Sequence, residues 1–293
     1  MSKVQANCLL LLAAAFWGFG NVAQKTVLDH LDPLSAVGMR CLIAGLMVAP
    51  LTGLEWGRKF GPGYWMSLAK VSVLFSISII IQQVSYLDTS VTNASFLVST
   101  ATVMTPLAAW CLIGERPTAV GGLAAAMTLA GVLLLSGGLI TSFSQGDLAA
   151  TLSAACYALW MVELGRHMQT HGAPIAAAAA QFLGAAVITL PLGALLGNLS
   201  LAAISDAAPE LAVLGIFSTG AAFGMQTIAQ RFTSASHAAV IVSAESVFGA
   251  VGAAIFLGER LSPTGAAGAA VIFGSITLLS LTTGKISKPA VAD

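Results

Sequence analysis

A chain of 293 residues that is 57% apolar and 8% charged lacks the polar surface of a water-soluble globule, in which about a quarter of residues are charged. Twelve Lys and Arg balance twelve Asp and Glu, so there is no basic footprint to imply a nucleic-acid partner. The four cysteines (Cys8, Cys41, Cys111, Cys156) are scattered, with no Cys-x-x-Cys and no His at ligand spacing, so neither a metal nor a cofactor is expected.

Apolar segments fall in chain order at about 5–28, 34–54, 64–87, 91–112, 118–138, 147–167, 174–196, 211–230, 235–257 and 263–283. Most have the length a helix needs to cross a bilayer. Turn-forming sequences separate them, among them Asp32-Pro33, Gly61-Pro62-Gly63, Arg116-Pro117, Gly172-Ala173-Pro174 and Ser262-Pro263. Val120–Leu135 and Gly265–Leu281 are apolar on every face, which excludes the alternating strands of a membrane β-barrel. Lys3 followed by Leu9–Leu12 has the look of a signal peptide, but the segment has a counterpart in the second half and is expected to be retained.

The stretch Thr89–Ser136 recurs, rewritten, as Thr233–Ser280. Each copy carries a Gly-Glu-Arg triplet, and Glu115 and Glu259 lie 144 positions apart. The opening helices repeat at an offset of 141, with His30 over His171, Pro33 over Pro174 and Arg40 over Gln181. Two units follow, 1–140 and 141–293, each of five helices. Because five is odd, the second unit enters the bilayer from the opposite side. The expected fold is therefore an all-α integral membrane protein, with ten transmembrane helices in two inverted-topology five-helix repeats.

With the N-terminus in the cytoplasm, Lys3, Arg58, Lys59, Lys70, Arg116, Arg166, Arg231, Lys285 and Lys288 fall at cytoplasmic ends. Only Lys25, Arg40 and Arg260 fall toward the outside, in keeping with the positive-inside rule. This places both termini in the cytoplasm and the chain in the inner (cytoplasmic) membrane.

Ionisable groups inside hydrocarbon are costly and mark function. Glu245 lies mid-way along the ninth segment, where its repeat counterpart is the apolar Ala101. It reads as a site for a substrate ammonium or as a protonatable coupling group; the competing reading is a carboxylate hydrogen-bonded to neighbouring helices. Glu163, three residues before Arg166 and within reach of Arg231 or His237, fits an ion pair or gate as readily as a substrate contact. Arg40, two turns in from the outer end of its helix, can snorkel to the interface and is expected to be a structural anchor in preference to a binder of a substrate carboxylate.

Uncharged polar groups also form inward faces. Trp17, Asn21 and Gln24 share one face of the first helix, and Gln82 and Tyr86 one face of the third. Ser99 follows in the fourth, Tyr157 and Trp160 in the sixth, and Gln226 in the eighth. The expected substrate-binding set is Trp17, Asn21, Gln82, Tyr86, Ser99, Tyr157, Trp160, Glu163, Gln226 and Glu245, with no catalytic residue. The fifth and tenth helices, rich in small residues such as Gly121, Gly122, Gly268 and Gly274, read as scaffold, for a monomer or weak dimer. Kinks are expected near Pro106, Pro191 and Gly249.

The paired Gly-Glu-Arg turns, Phe16-Trp17-Gly18 with Asn21, Asp32-Pro33 with Arg40, and Pro106 resemble the drug/metabolite transporter superfamily, EamA-like branch. The second half repeats the theme with Tyr157-Ala158-Leu159-Trp160, Pro174 and Gln181, so the resemblance spans nearly the whole chain. It implies a central substrate cavity and export or exchange of small metabolites by alternating access, as in the family's bacterial amino-acid exporters. Val103-Met104-Thr105 stand before Pro106 where aromatic amino-acid exporters carry aromatic residues, which argues against an aromatic substrate.

The function expected is export of amino acids or similar zwitterions by a secondary transporter. The alternative is an efflux carrier for drugs or other metabolites such as purines or nucleosides. Phosphorylated substrates would want several Arg or Lys, which the helix interiors lack beyond Arg40. An intramembrane enzyme is disfavoured because Gly-x-Ser-x-Gly, His-Glu-x-x-His and Walker A motifs are all missing. A channel is disfavoured because two halves in one chain suit rocking better than a filter.

Overall fold

The computed structural model describes residues 1–55, 57, 60–137, 143–256 and 262–283. Among these the regular structure is helical throughout, with no strand. The helices are α1 (Lys3–Thr26), α2 (Pro33–Val48), α3 (Tyr64–Ser85), α4 (Val91–Ser99), α5 (Ala101–Ile113), α6 (Ala119–Leu135) and α7 (Gln145–Thr170). They continue as α8 (Pro174–Leu196), the short α9 (Leu201–Asp206), α10 (Ala208–Ala212), a π-helical segment (Val213–Phe223) and α11 (Gly224–Ala229). The last three are α12 (Ala235–Val242), α13 (Glu245–Phe256) and α14 (Pro263–Thr283). Nine helical stretches among the described residues are long and apolar enough to cross a membrane, and the shorter apolar α6 adds a tenth segment. Arg58, Lys59, Lys285, Lys288 and the second Gly-Glu-Arg triplet lie outside the described residues.

Two expected helices are broken and a third changes helix type along its length. The fourth is broken at Thr100 into α4 and α5, and the ninth at Ser243 and Ala244 into α12 and α13. Both breaks have one cause. A hydroxyl takes the carbonyl three residues back, Thr100 Oγ1 on Leu97 O at 2.5 Å and Ser243 Oγ on Val240 O at 2.5 Å. The backbone tightens there to i→i−3 bonds, as in Thr100 N–H to Leu97 O and Ala244 N–H to Ile241 O. The proline expected to kink the fourth helix, Pro106, lies inside α5, past the break, and Pro191 sits within an unbroken α8. The eighth span widens into π-helix, in which the Ser218 carbonyl accepts Trp17 Nε1–H at 2.8 Å.

The Gly-Glu-Arg turn is first of all turn chemistry. Gly114 closes α5 in the left-handed conformation (φ 70°), with Glu115 N–H reaching back to Ala109 O. Glu115 then lies beside Ser234, which caps α12.

The helices pair in a pattern that survives exchange of the two halves. α2 lies on α8 and α6 on α14, each helix against its own repeat counterpart. α3 packs on α7 as the π segment packs on α1, and α5 packs on α7 as α13 packs on α1. The self-paired helices run antiparallel. Asp32 caps the start of α2 through Leu34 and Ser35 and also accepts Asn198 N–H, beyond the end of α8, at 2.8 Å. At the opposite end Glu55, after α2, accepts Ile175 and Ala176 N–H at the start of α8. Gly197 is needed at this junction, because a Cβ there would lie 2.1 Å from Asp32 Oδ2. Burial alone would raise the Asp32 carboxyl, but its hydrogen bonds from Ser35, Asn198 and Leu34 outweigh that and hold it below the usual carboxylate range.

α6 and α14 cross where glycine meets glycine: a Cβ on Gly268 would lie 2.4 Å from Gly131 O. Thr128 and Ser275 share a hydroxyl bond of 2.7 Å beside it. Lipid gives such helices no hydrophobic drive to associate, so this close backbone approach is what holds them. The interior between the other helices is filled by Phe75, Trp160, Phe182 and Phe223, with Phe75 and Phe223 edge to face at 5.0 Å.

Candidate functional site

The two broken helices meet α1, α2, α3 and α7 around a central cavity with about 590 Å³ of empty space, its open mouth included. Only about 40 Å³ of that admits the centre of a water molecule, so the walls stand close together.

Glu245 is the first residue of α13 and lines this cavity. Its place follows from the break. The turn at Ser243 and Ala244 ends one helix and opens another, and a carboxylate in the first turn of α13 sits at the favourable end of the helix dipole. Gly18 brings α1 against this point. A Cβ at Gly18 would lie 2.6 Å from both Glu245 O and Gly249 N, so only glycine permits the approach. One turn further along α1, Asn21 Nδ2 donates to Glu245 Oε1 at 2.9 Å.

The polar line continues away from Glu245. Gln24 Nε2 donates to Asn21 Oδ1 at 3.0 Å, and Arg40 Nη1 donates to Gln24 Oε1 at 3.1 Å. Arg40 Nε donates to Thr219 Oγ1 at 2.8 Å, and Gln83 Nε2 holds the Gln24 carbonyl at 2.7 Å. Arg40 is 1% exposed, so it does not snorkel to the interface. It turns into the bundle, where the neutral oxygens of α1 and the π segment receive it. The cavity thus carries one carboxylate and one guanidinium, joined only through two amides. Among the described residues neither has an ion-pair partner.

Of the other expected residues, Trp17, Gln82, Ser99 and Tyr157 line the cavity. Ser99 meets Ser246 across the two broken helices at 3.0 Å. Tyr157 O–H donates to Gln226 Oε1 at 2.9 Å, so Gln226 stands behind the wall and orients the phenol. Gln226 Nε2 is buried with no hydrogen-bond partner. Tyr86 is buried next to the wall, near enough to interact with both Glu245 and Arg40.

Two expected residues belong elsewhere. Trp160 is fully buried away from the cavity, its Nε1–H on Gln181 Oε1 at 2.6 Å and its ring against Phe75 and Phe223. Glu163 does not line the cavity, and it makes no ion pair with Arg166 or Arg231. The helical period explains Glu163: Tyr157 and Met161, four apart, face the cavity, and Glu163, two residues past Met161, points to the far side. A separate open groove between the end of α5, α7 and the start of α12 is lined by Glu115, Arg166 and Gln169.

The expected substrate-binding set omits Arg40, Gln24, Thr102 and Ser153, all of which line the cavity, although Gln24 stands on the inward face expected of the first helix. For Arg40 the signal was present: its repeat counterpart is Gln181, and a charge in one half alone is the same mark that singled out Glu245. Among the described residues no group of three or more His, Cys, Asp or Glu is placed to hold a metal ion.

A solved crystal structure shares the fold, with a TM-score of 0.78 at 19% identity, covering 96% of this chain and 99% of that one. An uncharacterized transporter from Archaeoglobus fulgidus is 25% identical over 284 residues, 96% of this chain and 87% of that protein. The pattern of the EamA-like transporter family matches twice, at residues 4–137 and 144–281. With two copies of that pattern filling nearly its whole length, this multi-pass membrane chain belongs to the EamA-like transporter family, within the drug/metabolite transporter superfamily, and is a transporter rather than an enzyme.

Proposed function

We propose that the protein is a secondary carrier that exports amino acids or similar zwitterions across the cytoplasmic membrane by alternating access. The observation that carries this reading is Glu245, a carboxylate opening onto the central cavity at the start of a half-helix. An ammonium group is the natural partner for such a carboxylate. Tyr157, Gln82 and Ser99 supply hydrogen-bonding groups around it.

Support for alternating access comes from the arrangement of the halves. Their breaks fall at matching places in the repeat, Thr100 and Ala244, and discontinuous helices at mid-membrane are the usual seats of transporter sites. The antiparallel pairing of α2 with α8 and α6 with α14 favours inverted repeats with both termini on one side, and the excess of Lys and Arg at those ends favours the cytoplasm.

The test is counterflow in liposomes holding the purified protein, with labelled L-amino acids offered under two pH gradients. Saturable uptake of at least one amino acid, accelerated by the same amino acid inside, is expected. Ohmic single-channel currents, or flux that never saturates, would overturn the reading.

A further inference from the structure

We propose that Arg40 is the carboxylate subsite of the same cavity, so that the carrier selects molecules bearing a cation and an anion together. The inference rests on the carrier reading above and gives it a substrate chemistry.

Arg40 is buried and lines the cavity, yet all its hydrogen-bond acceptors are neutral: Thr219 Oγ1, Gln24 Oε1 and, at 3.5 Å, Ser218 Oγ. A guanidinium has five N–H donors, and these three bonds leave two. A buried charge is expensive unless a counter-charge and full hydrogen bonding meet it. The cavity's one carboxylate, Glu245, is held off from Arg40 by the Gln24 and Asn21 amides. Each charge is therefore held by neutral groups and left without its opposite. A zwitterion laid across the cavity supplies both missing partners at once, its carboxylate on the planar fork of Arg40 and its ammonium on Glu245.

A lone amine leaves Arg40 uncompensated, and a lone acid leaves Glu245 uncompensated. The Gln24–Asn21 pair acts as the spacer, because Gln24 bonds Arg40 through one end of its amide and Asn21 through the other.

The experiment measures thermal stabilisation of the purified protein by each of the twenty L-amino acids, by the matching decarboxylated amines and by the matching deaminated acids. The wild type should bind at least one amino acid roughly tenfold or more tighter than its amine and its acid, the worth of about one charge-assisted contact. Arg40→Gln should lose the preference over the amine and keep that over the acid; Glu245→Gln should do the reverse. Arg40→Lys, which keeps the charge but not the fork, covers the case in which Arg40→Gln does not fold, and should reduce the preference over the amine severalfold. Equal binding of amine and amino acid by the wild type, or full selectivity in the Arg40 variants, would overturn the subsite while leaving a carrier intact. Selective binding without any counterflow would instead remove the carrier and spare the subsite. Stabilisation by no amino acid would remove the substrate class and the subsite together.

Discussion

Asn21 Nδ2 donates to Glu245 Oε1 at 2.9 Å, and that bond links the first helix of one repeat to the broken fourth helix of the other. It exists because Gly18 lets the two backbones touch one turn earlier. Replacing Asn21 with Ala leaves the carboxylate and the Gln24 amide each short of a partner. A buried polar group left unpaired costs about 1–3 kcal/mol, so Asn21→Ala should melt measurably lower in detergent and transport poorly, whereas Asn21→Gln should fall between. Thermal unfolding beside flux measurements checks this; an unchanged melting point would show that the bond does not hold the helices.

Gly18→Ala tests the contact beneath it. The new methyl would meet backbone at 2.6 Å on two sides, and backbone cannot yield cheaply. Overpacking of this kind costs about 1–3 kcal/mol. A Cβ added at Gly122, on α6, would meet nothing within 4 Å, so Gly122→Ala is the matched control and should leave stability unchanged or slightly raised. Melting curves of the two variants should separate clearly.

Glu163→Gln should leave transport within about twofold of wild type, because Glu163 lies off the cavity wall. Trp160→Phe should act on folding instead. It removes the donor that Gln181 Oε1 accepts at 2.6 Å, with a stability loss of about 1–3 kcal/mol. A Glu163→Gln variant without transport, or a Trp160→Phe variant with wild-type stability, would contradict these placements.

Asp32 gives a pH signature at the α2–α8 junction. Its folded carboxyl is held below the usual value, so the folded state gains from its ionisation. That stability is fully present above the unfolded value of about 3.9 and is lost as pH falls through the lower folded value. Asp32→Asn should therefore melt lower than wild type at neutral pH, and the gap should close on acidification below about pH 4. A gap independent of pH would place the effect in packing against Gly197 and not in charge.

Ten apolar segments, two units and a cavity-facing Glu245 were legible in the sequence because length, repetition and the cost of a charge in hydrocarbon each leave a plain mark. The breaks at Thr100 and Ser243 were not, since a single hydroxyl bonding three residues back looks in sequence like any other Ser or Thr. Proline drew attention to Pro106 instead, although the helix tolerates it there. Arg40 was misplaced by depth alone: a long side chain near a helix end can reach water or turn inward, and only the facing Gln24 and Thr219 decide. Trp160 was misread because an aromatic ring with a polar edge suits a cavity wall and a packed core equally well.

The most direct test of the central claim is counterflow of labelled amino acids into liposomes carrying wild-type protein or Glu245→Gln. Wild type should show saturable uptake driven by unlabelled amino acid inside, and Glu245→Gln, folded and equally abundant, should lose that flux by tenfold or more, about the worth of one charge-assisted contact. Full-rate flux through Glu245→Gln would contradict the account.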